Sequence, residues 1–170
     1  MKKIGITLLA VILNLEVISC NSNAAENSTE RDNGNKSAVE VKGEGIVVHL
    51  SEESFKALVW DYDKNPDSWE YVGELPAVID FYADWCGPCK KVAPIMDKLA
   101  ADYNGQLIIY KVNTDENREL SSVFGIRSIP SVMFIPQQGK PAMQVGAMQE
   151  SQYKDIIEDF VLGKKDLQKQ

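Results

Sequence analysis

Metal-binding side chains are scarce in this chain of 170 residues, which has a single histidine and three cysteines. A structural zinc site needs four ligands, usually cysteine and histidine. Cys86 and Cys89 are close neighbours, but His49 lies far from them in the sequence. The composition therefore argues against a zinc-binding module, and we expect His49 to be structural or to face solvent.

Basic residues are also in the minority, because 18 Lys and Arg stand against 25 Asp and Glu, for a net charge of −7. Nonspecific nucleic-acid binding depends on clustered Lys and Arg, and the globular part of the chain has no basic run. We therefore expect no nucleic-acid partner. The acidic balance mainly favours solubility.

The apolar run at the N-terminus, residues 4–15, is too short to span a bilayer as a stable helix. It follows Lys2 and Lys3, and a charged segment before a short apolar run is typical of a bacterial secretion signal. The sequence thus predicts a signal over residues 1–19 and a protein exported to the periplasm.

Two cleavage sites are open. Val17-Ile18-Ser19-Cys20 resembles a lipoprotein signal, in which the cysteine becomes lipid-modified, and we favour Cys20 as a lipid attachment site. The alternative is cleavage after Ala24, which would remove Cys20. Residues 20–45 are too polar to bury much surface and are predicted to be a flexible tether. The predicted domain is 46–162, followed by a polar tail, 163–170.

A buried strand followed by a helix is predicted around the cysteine pair. Ala77–Tyr82 is an apolar run interrupted only by Asp80, as in a strand buried on both faces. Pro88 suits the first turn of a helix that begins at or beside Cys86. Unpaired amides and the helix dipole there would favour the Cys86 thiolate, the nucleophile of thiol–disulfide exchange. Cys89, one turn on and less exposed, would complete the exchange.

Asp80 is the candidate base for the Cys89 proton. Its neighbours in the strand are apolar, which argues against a solvent-facing side chain. Burial raises the pKa of a carboxyl towards the working range of a general base.

The segment Phe-Tyr-Ala-Asp-Trp-Cys-Gly-Pro-Cys-Lys, residues 81–90, resembles the active-site segment of thioredoxins. The resemblance extends over about residues 46–162. It implies a redox-active disulfide between Cys86 and Cys89, no metal or other cofactor, and protein substrates that contain disulfides. We expect a monomer.

Further residues take their roles from this resemblance. Lys111 stands where the family has a lysine paired with the aspartate, whereas Tyr82 stands where the family often has Trp, and its role stays open. The loop 126–131 resembles the family loop with a cis proline, whose backbone pairs with an extended substrate. Asp84 is expected to be exposed, and Trp85 to pack against the active-site loop. The substrate-binding candidates are Trp85, Gly87, Pro88, Ile129, Pro130 and Gly146.

The order of elements predicts an α/β protein with the thioredoxin fold, a central mixed β-sheet flanked by helices on both faces. The expected strands are 46–50, 77–82, 106–112, 131–135 and 142–145. The expected helices begin after residue 51, beside residue 86 and at residue 113, and the last covers 153–161. The segment 60–76 is longer than its family counterpart, and its aromatic residues either pack over one end of the domain or bind a partner.

The resemblance leaves the direction of electron flow open. Gly87 and Pro88 between the thiols resemble reducing thioredoxins, so we favour a thiol reductase or isomerase of the cell envelope, supplied with electrons by a membrane donor. The alternatives are a net dithiol oxidase and a noncatalytic binding scaffold of the same fold.

Overall fold

The computed structural model describes residues 45–164. The predicted signal, Cys20, nearly all of the tether and most of the tail lie outside these residues. Within them, no helix combines the length and apolar character needed to cross a bilayer. The strands are β1 (Val47–His49), β2 (Ala77–Tyr82), β3 (Ile108–Asn113), β4 (Ser131–Ile135) and β5 (Ala142–Val145). The helices are α1 (Glu52–Leu58), α2 (Gly87–Asp102), α3 (Arg118–Val123) and α4 (Glu150–Ile156), which continues as a π-helical turn, Ile157–Val161.

The five described strands form one mixed sheet in the order β1-β3-β2-β4-β5. β1 and β2 both run parallel to β3, while β4 is antiparallel to β2 and to β5. The central strand β2 therefore has a partner on each side, and Asp80 lies between Lys111 of β3 and Val132 of β4. The predicted α/β class and mixed sheet are confirmed.

Short-range hydrogen bonds decide where two of the helices begin. α1 begins after residue 51 as predicted, and Ser51 caps it: its hydroxyl accepts the Ser54 amide at 3.2 Å, and the Ser54 hydroxyl accepts the Ser51 amide at 2.8 Å. The predicted start of α3 at Asn113 is wrong. Asn113 ends β3 instead, and its side-chain oxygen accepts the amide of Asp115, so a turn precedes the helix.

One face of the sheet is covered by α1, α3 and the long connection 60–76. Trp60 packs against Trp69 with ring centroids 5.2 Å apart and against Phe124 at 6.0 Å. The amide of Val72 donates to the Val59 carbonyl at 3.0 Å, which ties the connection to the end of α1. Of the two predicted alternatives for these aromatic residues, the structure shows packing against the domain.

The opposite face is covered by α2, α4 and the π-helical turn. The last helix was predicted as one uniform element over 153–161, but it begins at Glu150 and changes to π-helical geometry at Ile157. Side chains alternate between the faces of a strand, so Asp80 projects to the same face as Val78, beneath α2. The candidate base Asp80 thus lies on the face of the sheet that is covered by α2, the helix that carries Cys89.

Candidate active site

The two cysteines lie at the start of α2, directly beyond the end of β2. Cys86 is the N-cap residue with extended backbone, and Pro88 lies in the first turn as predicted. The Cys86 amide donates to the Ala83 carbonyl at 3.1 Å, which closes the turn between strand and helix. Cys86 and Cys89 form a disulfide with their Cα atoms 5.3 Å apart. The structure therefore represents the oxidised state of the pair.

The environment of Cys86 favours negative charge on its sulfur. The amide of Cys89 donates a hydrogen bond to Cys86 Sγ at 3.2 Å, so the sulfur takes the capping role that a Ser or Asp oxygen has in other helices. Free amides and the helix dipole at this position stabilise a thiolate once the disulfide is reduced. The predicted placement of Cys86 is confirmed.

The expectation that Cys86 is more exposed than Cys89 is wrong for this oxidised state, since each is 3 % exposed. Cys86 Sγ lies 3.8 Å from the Ile129 carbonyl oxygen, and Ala83, Tyr82 and Ile129 pack around the disulfide. The loop before β4 therefore covers the sulfur. Gly87 and Pro88, which lie between the two cysteines, are exposed.

Asp80 is fully buried, and neither of its carboxyl oxygens has a hydrogen-bond partner. Burial raises the pKa of this carboxyl from 3.8 to about 6, and the positive charge of Lys111 partly opposes the increase. A carboxyl with this pKa changes protonation state near neutral pH and can exchange a proton with a thiol. The predicted environment of Asp80 is confirmed; its role as a base stays a prediction.

Lys111 lies beside Asp80 on the neighbouring strand, as predicted. However, within residues 45–164 the Lys111 side chain forms no ion pair with Asp80. Its Nζ lies instead 4.4 Å from the centroid of the Tyr82 ring. His49 is exposed, as expected, and its Nδ1 is 3.5 Å from the Tyr82 hydroxyl. The lysine thus acts on Asp80 through space and not through a hydrogen bond.

The loop before β4 lies against the disulfide. The Ile129–Pro130 peptide bond is cis, as the family resemblance implies. The Gly146 amide donates to the Pro130 carbonyl at 2.8 Å, and Gly146 adopts a φ of 92°, which favours glycine. Ile129, Pro130 and Gly146 are therefore brought together beside Cys86. Their contact with substrate stays a prediction.

Trp85 is placed differently from the prediction. It is 71 % exposed, and its indole Nε1 donates to Asp115 Oδ2 at 2.8 Å, whereas we expected it to pack against the active-site loop. The carboxyl ends of parallel β2 and β3 lie at the same edge of the sheet, which brings the turn after β3 to the indole. Asp115 was not predicted, although a carboxylate just beyond the end of a strand parallel to β2 is a usable signal. Asp84 is exposed as expected.

Within the described residues, no group of three or more His, Cys, Asp or Glu side chains is placed to hold a metal ion. The chemistry that the arrangement supports needs none. A disulfide, a sulfur that accepts an amide hydrogen bond and a buried carboxyl are sufficient for thiol–disulfide exchange.

Comparisons with known proteins agree with this geometry. A family model described as thioredoxin matches residues 47–159. A thioredoxin of Borreliella burgdorferi is 46 % identical over 115 residues, which are 68 % of this chain and 97 % of that protein. A thioredoxin of Haemophilus influenzae is 35 % identical over 115 residues, with the same shares. A chloroplastic M-type thioredoxin of Spinacia oleracea is 42 % identical over 102 residues, 58 % of this chain and 56 % of its own length.

The matched residues include β1 to α4 and the disulfide. Thioredoxins are thiol–disulfide oxidoreductases that use a cysteine pair without a cofactor and act on protein disulfides. The sheet, the Cys86–Cys89 pair and the sequence identities lead to one conclusion: the chain belongs to the thioredoxin family.

Proposed function

We propose that this protein reduces or isomerises protein disulfides in the cell envelope through a dithiol–disulfide cycle of Cys86 and Cys89. The observation that carries the proposal is the position of Cys86 at the N-cap of α2, where its sulfur accepts the Cys89 amide. This position favours the thiolate of Cys86 in the reduced protein, and the thiolate is the attacking species.

The first step is attack of the Cys86 thiolate on a substrate disulfide. A new S–S bond joins Cys86 to one substrate sulfur, and the other substrate sulfur leaves as a thiolate. An extended substrate segment would lie along the backbone of Ile129 and approach closely at Gly146, whose surroundings leave open space. Trp85, the residue before Cys86, also has an exposed indole.

The second step resolves the mixed disulfide. Cys89 loses its proton to Asp80 and attacks Cys86 Sγ, so that the Cys86–Cys89 disulfide forms and the substrate leaves as a thiolate. Asp80 suits this role because its carboxyl is fully buried and its pKa is about 6. Re-reduction by a membrane donor returns two electrons and completes the cycle.

The proposed location and anchoring rest on the N-terminal residues. A charged segment followed by a short apolar run supports export, and Val17-Ile18-Ser19-Cys20 supports lipid attachment at Cys20. The envelope is oxidising, so a reductase there depends on electrons supplied through the membrane.

The reduction potential of the Cys86–Cys89 pair distinguishes a reductase from an oxidant. We expect a value near that of thioredoxin, about −270 mV, when the pair is equilibrated with dithiothreitol and the redox states are separated after alkylation. A value near the envelope oxidant, about −120 mV, would contradict the proposal and favour a net dithiol oxidase.

Insulin reduction by dithiothreitol distinguishes an enzyme from a binding scaffold. We expect the wild type to accelerate precipitation of the insulin B chain and Cys86→Ser to lose this acceleration, since no attacking thiolate remains. The control is Cys20→Ala, which leaves the pair in place and should match the wild type. Equal rates for wild type and Cys86→Ser would favour the scaffold.

Detergent partition tests the anchor. The full-length chain should enter the detergent phase when expressed with its signal, and Cys20→Ala should move to the aqueous phase. Cys86→Ser is the control, because it changes a cysteine outside the Val17-Ile18-Ser19-Cys20 motif. If Cys20→Ala partitions as the wild type does, lipid attachment at Cys20 is ruled out.

A further inference from the structure

Three polar side chains form a row across the sheet beside the active site. In the parallel register of β1, β3 and β2, His49 lies opposite Lys111, and Lys111 lies opposite Asp80. Neighbouring strands are about 4.8 Å apart, so side chains in register on one face are adjacent. Tyr82 follows Asp80 by two residues on β2 and projects to the same face.

The lysine in this row contacts an aromatic ring and not the carboxyl beside it. Lys111 Nζ lies 4.4 Å from the Tyr82 ring centroid, whereas both oxygens of Asp80 lack a hydrogen-bond partner. An ammonium group over an aromatic face is attracted by the ring quadrupole. The Tyr82 hydroxyl contacts His49 only at the 3.5 Å limit of a hydrogen bond, so the ring is the main contact of Tyr82 with this row.

The lysine also has an alternative environment. Lys111 itself lines a cavity of about 340 Å³, together with His49 and Asp97 of α2. An ammonium group released from the ring could turn into this cavity, where water and a carboxylate are available. Its attraction for Asp80 would then weaken with distance.

Lys111 supplies the positive charge that acts on Asp80, since the groups that face Asp80 from the other elements are neutral or apolar. β4 presents the apolar Val132, and α4 presents the neutral Tyr153 hydroxyl. The cysteines at the start of α2 form a disulfide and do not titrate in this state. Attraction by Lys111 opposes the effect of burial on the Asp80 pKa.

We propose that Tyr82 is a positioning residue whose ring holds the Lys111 ammonium beside Asp80 and keeps it from turning towards Asp97 in the adjoining cavity. Tyr82 thereby sets the pH at which Asp80 can accept the proton of Cys89. The inference rests on the proposed function for this second step, but the titration of Asp80 can be measured without any substrate.

The test is a ¹³C NMR titration of the Asp80 carboxyl in the disulfide form. We expect Tyr82→Leu to raise the titration midpoint by about half a pH unit to one pH unit, because the Lys111 ammonium is no longer held near Asp80. Tyr82→Phe keeps the ring and should titrate as the wild type does. Tyr82→Ile, a β-branched residue that suits a strand, is the second variant if Tyr82→Leu does not fold.

A double-mutant cycle with Lys111→Met identifies the route of the effect. Lys111→Met should raise the midpoint by itself, and adding Tyr82→Leu should raise it no further. The smaller side chain in Tyr82→Leu could also let water reach Asp80, which would lower the titration midpoint. Displacement of Lys111 would raise it, so the sign of the shift distinguishes the two causes. An unchanged or lower midpoint in Tyr82→Leu, or an equal rise in the Lys111→Met background, would overturn the proposal.

A kinetic measurement separates this inference from the proposed function. The pH profile of mixed-disulfide resolution should move upwards by the same interval in Tyr82→Leu. A shifted titration supports the positioning role of Tyr82. If the kinetic profile does not follow it, Asp80 is not the base of the second step, and the proposed mechanism fails at that point alone.

Discussion

The two faces of the central sheet are built from different chemistry. The face under α1 and α3 is covered by aromatic rings, and Phe124 contacts both Phe55 and Trp60. The face under α2 and α4 buries Asp80 without a hydrogen-bond partner and lies beneath the helix that carries the disulfide.

The difference between the faces indicates a division of roles. Burying apolar surface stabilises the fold, whereas burying an unpaired carboxyl destabilises it unless the group stays protonated. Both faces bury apolar side chains and so stabilise the fold, but the second face also retains an unpaired carboxyl, which serves the chemistry of the site. Substitutions on the two faces should consequently change different measurements.

The largest effect is expected on the aromatic face. Phe55 is fully buried and packs against Phe124 at 5.4 Å and Tyr62 at 6.3 Å between ring centroids. Phe55→Ala should lower the free energy of unfolding by about 3–5 kcal/mol, because it leaves a cavity. Urea denaturation measures the loss, and the rate of insulin reduction per folded molecule should stay unchanged.

Phe160→Ala is the matched control for this prediction. Phe160 is 40 % exposed on the π-helical turn, so its truncation removes little buried area and should change stability by less than about 1 kcal/mol. Similar losses for Phe55→Ala and Phe160→Ala, or a slower exchange in folded Phe55→Ala, would contradict the proposed division between the faces.

Asp80→Asn should have the opposite effect on stability. The pKa of Asp80 is raised to about 6, above the unfolded value, so the folded state binds more protons between about pH 4 and pH 6. The wild type therefore loses stability as pH rises through this window. Asp80→Asn stays neutral and should be more stable than the wild type by about 2–3 kcal/mol at pH 7, with little difference at pH 4.

Kinetics complete the test of Asp80. Asp80→Asn should slow release of the mixed disulfide by about 10²-fold, the usual scale for a lost general base, and should affect its formation less. Rapid-quench measurement of the two steps provides the comparison. A larger effect on formation would remove Asp80 from the mechanism, and a stability difference independent of pH would contradict the raised pKa.

The smallest effect is expected at the exposed rim of the second face. Lys154 of α4 forms ion pairs with Asp102 at 2.8 Å and Glu150 at 2.9 Å, and Lys98 also contacts Glu150. Lys154→Met should cost less than about 1 kcal/mol of unfolding free energy, since solvent screens exposed pairs. The difference should shrink in 1 M salt. A loss above about 2 kcal/mol would show that this rim contributes to the core of the fold.

Local patterns predicted much of the fold. The helix start at Cys86, the cap at Ser51 and the buried strand around Asp80 all depend on residues within a few positions of one another. These features follow from backbone hydrogen bonding and side-chain periodicity, which the sequence displays directly. The start of α3 was missed because a side-chain turn at Asn113 competes with a helix there, and the residue type alone does not say which prevails.

The cover of Cys86 and the partner of Trp85 could not be predicted in this way. Ile129 and Asp115 lie 43 and 30 residues from the groups they contact. Likewise, the family resemblance paired Lys111 with Asp80, but the lysine lies near both the Asp80 carboxyl and the Tyr82 ring, and it contacts the ring. Choices of this kind depend on distances between strands and not on any local pattern.

The sequence by itself determined the chemistry of this protein: a Cys-Gly-Pro-Cys pair at a helix start, after an apolar strand that contains one carboxyl. The cysteine pair, the helix start and the carboxyl in the strand all involve residues close together in the sequence. Their spacing is therefore fixed wherever the strand and the helix form. Only the tertiary structure decided which face holds Asp80, what covers the sulfur of Cys86 and where the charge of Lys111 lies. Such features depend on how distant strands align, because electrostatic attraction and burial act through space.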